Sequence, residues 1–284
     1  MTAAWLRCCC FFWLLLAFSA SAVTLLQPLT PDQNLSSGSV NDLQLDHQGF
    51  LWVATDSGLN RFDGNQNIRI GEANTALWTQ RYSKILLDGQ KRLWVMAPVG
   101  GLYLFNPEQA RLDLQSKLPE NDQSPALMSG ALTEDPETLL LNSSRKVYSY
   151  QTEQRQLSLL TQLPESPDNS LYIRTLLAYR DWVFIGTSKG LYLHRPDHPL
   201  LKIPHLPAEI SGDYPQHVKA LSIQQRKLLV GTVQGLYQLD LMQLEQTPGQ
   251  PPAVQILQSD ANIWQILQKN QQLLLGTEQG LLQL

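Results

Sequence analysis

Cysteine is absent from this chain after its first ten residues: Cys8, Cys9 and Cys10 are the whole complement among 284. A chain cleaved beyond them holds no disulfide, so its stability must come from packing. Charge is scarce too. Asp, Glu, Lys and Arg make up 16% of residues, below the usual quarter. The net charge is −4 and like charges never cluster into a run. Nucleic acid is thereby excluded as a partner, because a polyanion needs clustered Lys and Arg. A polybasic membrane-surface patch is excluded on the same ground. Helical periodicity beyond a turn or two is missing, so the chain reads as all-β. Enzyme signatures are missing as well: there is no G-x-x-x-x-G-K-[ST], no G-x-S-x-G and no H-E-x-x-H. His194 and His198 are four apart, but Pro196 and Pro199 keep them off one helical face. With Asp197 and His205 they make at most a loop site, and structural zinc favours cysteine and tighter spacing. Neither a metal nor a cofactor is expected.

What the chain does have is a repeat. Leu43 and Leu45 alternate as in a half-buried strand, and Asp46-His47-Gln48-Gly49 is turn chemistry. Phe50 to Thr55 is aromatic and β-branched, Asp56-Ser57-Gly58 is a second turn, and Leu59 to Phe62 a third strand. The T-x-x-G-L of Thr55 to Leu59 returns at Thr187 to Leu191, Thr232 to Leu236 and Thr277 to Leu281. Looser copies end at Gly101 and at Lys146, which stands where glycine is expected. The turn positions 58, 101, 146, 190, 235 and 280 are spaced by 43, 45, 44, 45 and 45 residues. Several strands per period of ~40–50 residues is the pattern of propeller blades. The expected fold is therefore a β-propeller of four-stranded antiparallel blades, with repeats near 40–70, 82–118, 131–163, 173–206, 217–244 and 262–284. Gly58, Gly101, Gly190, Gly235 and Gly280 are its structural turn residues. The four exact-motif glycines should have φ > 0, with Lys146 the strained exception. The sixth repeat lacks a fourth strand. Val23 to Leu29 would supply it in a closed six-bladed ring; otherwise these are the first six of seven blades.

Residues 1–22 read as a secretory signal: one cation, Arg7, an apolar run from Cys8 to Phe18, then Ala20-Ser21-Ala22. The run is short of the ~20 residues a spanning helix needs. Residues 23–284 are then a periplasmic domain without a membrane span.

Val40 to Gly64 resembles the two component regulator propeller repeat, with its D-x-x-G-x-L-W-V-x-T-x-x-G-L-x-R-F-D-G pattern. The resemblance is fair at 85–105, 173–193, 217–237 and 263–284 and poor at 131–150. It implies a periplasmic, non-catalytic sensor propeller, the front of a histidine kinase or diguanylate cyclase receptor that dimerises through a downstream region. A free-standing binding or scaffold propeller is the alternative, and a propeller lyase or glycan hydrolase the third.

Aromatic residues divide in two. Trp52, Trp94 and Trp182 lie within central strands and read as packing between blades. Trp78, Tyr82, Tyr172, Tyr214 and Trp264 lie just before or at the start of innermost strands, beside Arg81, Arg174, His217 and Lys219. Aromatic faces next to hydrogen-bonding groups suit a glycan or other small polar ligand, and Arg81 and Arg174 suit the carboxylate of an acidic sugar. The plainer reading of all of them is capping of blade ends.

Overall fold

The computed structural model describes residues 35–71, 75–99, 101–120, 122, 126–204, 217–247, 253–258, 262–269 and 272–284. The leader 1–22, the segment Val23 to Leu29 and Tyr214 lie outside the described residues. Six antiparallel sheets follow one another as the blades of a β-propeller. Blade 1 is β1 (Val40–Leu45), β2 (Leu51–Thr55), β3 (Gly58–Phe62) and β4 (Asn67–Ile70), followed by helix α1 (Ala76–Thr79). Blade 2 is β5 (Lys84–Leu87), β6 (Leu93–Ala97), β7 (Gly101–Asn106) and β8 (Arg111–Ser116). Blade 3 is β9 (Ser129–Leu132), β10 (Thr138–Asn142), β11 (Lys146–Gln151) and β12 (Gln156–Gln162). Blade 4 is β13 (Ile173–Tyr179), β14 (Trp182–Thr187), β15 (Gly190–His194) and β16 (Leu201–Ile203). Blade 5 is β17 (Val218–Gln224), β18 (Lys227–Thr232), β19 (Gly235–Asp240) and β20 (Ala253–Gln258), with helix α2 (Leu241–Gln246) before its last strand. Blade 6 is β21 (Ile263–Lys269), β22 (Gln272–Thr277) and β23 (Gly280–Gln283), three strands among the described residues.

The repeat motif is explained atom by atom. In the T-x-x-G turn the threonine hydroxyl donates to the glycine carbonyl, at 2.8 Å for Thr55, 2.7 Å for Thr187, 2.9 Å for Thr232 and 2.8 Å for Thr277. The same oxygen accepts the N–H two residues on, so one side chain closes the turn at both ends. The final residue takes φ > 0 at Gly58, Gly190, Gly235 and Gly280. Gly101 shows why glycine is needed: φ is +114°, and a Cβ there would run into the Ser116 carbonyl oxygen. Lys146 departs from the expectation, since it is not among the residues with positive φ. Its N–H instead meets the Ser143 hydroxyl at 3.3 Å.

The leading Asp of the repeat has a second task. Asp46 accepts the N–H groups of Gln48 and Phe50 with one oxygen and the Trp52 indole, 2.8 Å away, with the other. Asp88 repeats this with Gln90, Arg92 and the Trp94 indole. Each Asp thus builds the turn and satisfies a buried Trp N–H six residues later.

Successive blades pack face to face. Trp52, Ala54 and Ile85, Val95 and Tyr103 join blades 1 and 2. Trp94, Met96 and Leu139, Leu141 join blades 2 and 3. Equivalent cores join 3 to 4, 4 to 5 and 5 to 6. Inner strands approach so closely that a Cβ on Gly186 would lie 2.7 Å from Val218 Cγ1, and one on Gly231 2.7 Å from Ile263 Cγ2. Among the described residues no core joins blade 6 to blade 1, and Leu43, Leu45, Leu267 and Leu281 are exposed there.

Trp182 packs against the core between blades 4 and 5, as expected, but the register gives it a lesser place there. Thr187 and Gly190 align with Thr55 and Gly58, so Phe184, fully buried, is the counterpart of Trp52, and Trp182 is half-buried. Trp52→Ala should cost about 3–5 kcal/mol in denaturant unfolding, as for emptying a core aromatic site. Trp182→Ala should cost clearly less. Equal losses would contradict this assignment of the core.

Candidate ligand-binding site

The innermost strand of four blades starts with a bulge, where the ladder skips one residue: between Val40 and Asp42, Ile173 and Thr175, Val218 and Ala220, and Ile263 and Gln265. The skipped residues are Asn41, Arg174, Lys219 and Trp264. A bulge frees its residue from the ladder and re-aims the side chain. Ser83 and Met128 take the same place in blades 2 and 3, just before β5 and β9. First strands of successive blades are neighbours, so these six positions follow one another along the inner edge, at the end where the T-x-x-G turns lie.

Blades 4 to 6 concentrate function-bearing groups there. Arg174 Nη1 donates to Tyr172 Oη at 3.1 Å, and its guanidinium lies 5.7 Å from the Tyr172 ring centroid. The Tyr172 and His217 rings meet edge-on at 6.3 Å. Lys219 Nζ sits 3.4 Å from the centroid of the Trp264 ring, which is 49% exposed. The Tyr172 main chain is held by Ser188, whose N–H and hydroxyl bond its carbonyl and N–H. Glu278, bonded to Asn262, acts on Lys219 from the neighbouring turn.

Burial lowers the His217 imidazole to about 4, and Arg174 and Lys219 push it the same way. Burial, then Arg174, lowers the Lys219 ammonium, with Glu278 opposing. Neither Arg174 nor Lys219 has a salt-bridge partner among the described residues. Two cations, a neutral imidazole and two aromatic faces make a place that can take an anion with a flat or apolar side.

The structure brings Tyr172, Arg174, His217 and Trp264 together and adds Lys219. Lys219, which the sequence places beside these aromatics, aligns with Arg174 and Trp264 as the residue following Ile173, Val218 and Ile263. Trp78, Arg81 and Tyr82 do not join this group. Tyr82 is wholly buried between blades 1 and 2 and donates to the Leu77 carbonyl at 2.8 Å. Burial pushes its phenol up to about 12. It occupies the core position of Ile173, not a platform position. Trp78 lies on α1 beneath the Arg69 guanidinium, 4.6 Å from its centroid. Arg81 is paired with Asp56 at 3.2 Å on the surface. Of the conceivable loop site, His205 is outside the described residues. Among the described residues, no three of His, Cys, Asp and Glu converge.

Residues 34–57 match the model of the two component regulator propeller. The chain carries that repeat. No curated protein matches it. Among solved structures it is similar to the extracellular domain of a protein described as a hybrid two component system of B. thetaiotaomicron (23% identity, TM-score 0.68, 86% of this chain and 31% of that one). It is similar to PorZ, a surface component of the type-IX secretion system of Porphyromonas gingivalis (14%, 0.66, 87% and 40%). It is also similar to virginiamycin B lyase of Staphylococcus aureus (11%, 0.64, 90% and 81%). At such identities the likeness is one of fold. The chain spans about a third of the length of the two component domain, and no described helix is long and apolar enough to cross a membrane.

Because His217 titrates below its ordinary 6.5, the folded state binds fewer protons than the unfolded one between about 4 and 6.5. Its contribution to stability is therefore complete above 6.5 and falls as the pH drops towards 4. Imidazole titration by NMR should give a midpoint near 4, rising in Arg174→Ala and Lys219→Met. A midpoint at 6.5 would contradict the burial and charge environment described.

Proposed function

We propose that this propeller is a ligand-sensing, non-catalytic module of a signal-transduction receptor, working in the periplasm, and that it binds an acidic saccharide at the inner-edge group of blades 4 to 6. The observation that carries the reading is the pair of cations on adjacent bulges, Arg174 and Lys219, set between Tyr172 and Trp264. A sugar ring presents an apolar face to an indole, and a carboxylate accepts two parallel bonds from a guanidinium. The receptor assignment is supported by the two component regulator propeller repeat and by the likeness to an extracellular receptor domain. The leader-like residues 1–22 support the compartment. A histidine kinase or diguanylate cyclase effector and dimerisation through a downstream region complete the proposal.

Calorimetric titration of residues 23–284 with galacturonate, glucuronate and their neutral parent sugars tests it. The acids should bind and the neutral sugars should bind far more weakly. Arg174→Ala removes a charged hydrogen bond, commonly about 1.5–3 kcal/mol, so it should weaken binding tenfold or more while leaving Tm nearly unchanged. Trp264→Ala should act in the same direction. Wild-type affinity in both variants would refute the site. Turnover of a glycan by the wild type, lost in Glu278→Gln, would favour the enzyme reading instead.

A further inference from the structure

The junction of blades 1 and 2 differs from that of blades 2 and 3 in a way that leaves a cleft. At both, the indole bonded to Asp meets an aromatic ring of the next blade: Trp52 and Phe105 at 4.6 Å, Trp94 and Tyr150 at 6.1 Å. Beside Trp94 the gap is closed by Arg92. Its guanidinium lies over the indole and reaches Asp88, the Pro136 carbonyl, Thr152 and Glu137 across the junction. The corresponding residues one junction earlier are Phe50 for Arg92, Lys91 for Glu137 and Pro107 for Thr152. None can make that bridge. In its place is a cavity of about 560 Å³, walled by Leu87, Leu93, Leu104 and Phe105.

Two cations are left over at this cleft. Arg61, half-buried on β3, lies over the Phe50 ring at 4.6 Å and the Trp52 ring at 6.0 Å. Among the described residues its side chain has no hydrogen bond and no salt bridge, and the acid it acts on electrostatically is Asp63, exposed at the end of the strand. Lys91, at φ +65°, is exposed at the rim, and among the described residues its ammonium has no salt bridge. The acids nearby are differently placed. Asp46 is committed to its turn and to the Trp52 indole, and Asp113 to Arg111 and Asn106. Glu108 is exposed to water. The cleft is lined by the turns that follow β1, β5 and β7. In antiparallel blades these lie at the opposite end from the turns that follow β2 and β6, the first of which is T-x-x-G.

We propose that this cleft is a second binding site, for a small aryl or alkyl carboxylate. Arg61 takes the carboxylate in a two-pronged pair, Lys91 adds charge at the rim, and the apolar body lies against Phe105 and Leu104. The volume suits a ligand of that size, and the guanidinium is already oriented by its aromatic stack, so little freedom is lost when the pair forms. The inference is independent of the saccharide reading at the other end.

The test is an NMR titration of the mature domain with 3-phenylpropionate, its neutral amide and inorganic phosphate, read at the Trp52 indole N–H. The carboxylate should give a saturable shift, and the amide and phosphate at least tenfold weaker ones. Arg61→Met, which keeps the stack's apolar length, should weaken binding tenfold or more. Lys91→Gly should weaken it several-fold, and because glycine relieves the positive φ, this variant should melt no lower than wild type. No saturable shift at millimolar carboxylate, equal binding of the amide or of phosphate, or wild-type affinity in Lys91→Gly would overturn the proposal.

Discussion

Packing of sheet on sheet is the constraint from which the rest of the molecule follows. A single four-stranded meander has two apolar faces and no partner for either, so each blade is stable only between neighbours. β18 illustrates this: Leu228 and Val230 enter the core shared with blade 4, while Leu229, between them, enters the core shared with blade 6. Central strands therefore read as unbroken apolar runs instead of alternating ones. Close approach near the axis then selects Gly186 and Gly231. The exposed Leu43, Leu45, Leu267 and Leu281 lie on the two blade faces that no described core covers.

Much of this was legible because the turns are chemically demanding. A threonine closing its turn twice, and a glycine at φ > 0, leave few alternatives, so T-x-x-G recurs at nearly constant spacing and gives away the blades. In the first repeat the Asp-to-Trp bond across six residues adds a second marker to the turn. Where a turn can be closed otherwise, the pattern wore away. Ser143 replaces the threonine, Lys146 needs no positive φ, and the third repeat becomes faint.

The candidate site was less legible because its logic lies in registers, not in residue types. Tyr82 and Tyr172 both stand at the start of an inner strand, yet they differ by one position. That single step sends Tyr82 into the core and leaves Tyr172 beside Arg174 and His217. Register likewise sets how deeply the aromatics of blade 4 are buried: Phe184 holds the fully buried place and Trp182 packs at the margin of the same core. In the sequence Lys219 stands as a neighbour of the aromatics, and only the bulge shows that it has the same standing as Arg174 and Trp264.

The two ends of the propeller are then governed by different freedoms. At the T-x-x-G end, the skipped residue of each bulge is outside both the ladder and the inter-blade core. In the four bulged blades it is Asn, Arg, Lys or Trp, so chemistry collects there through point variation. At the other end of blades 1 and 2, the turns are fixed by Asp46 and Asp88 and the indoles beneath them are buried, so variation falls on the residues that bridge one blade to the next. Arg92 fills its junction, whereas Phe50, Lys91 and Pro107 leave theirs open. Without the bridge, Trp52 and Phe105 stand beside an open cleft between blades 1 and 2. The same packing that forces blades 1 and 2 together therefore leaves a cleft between them where the bridging residues are replaced.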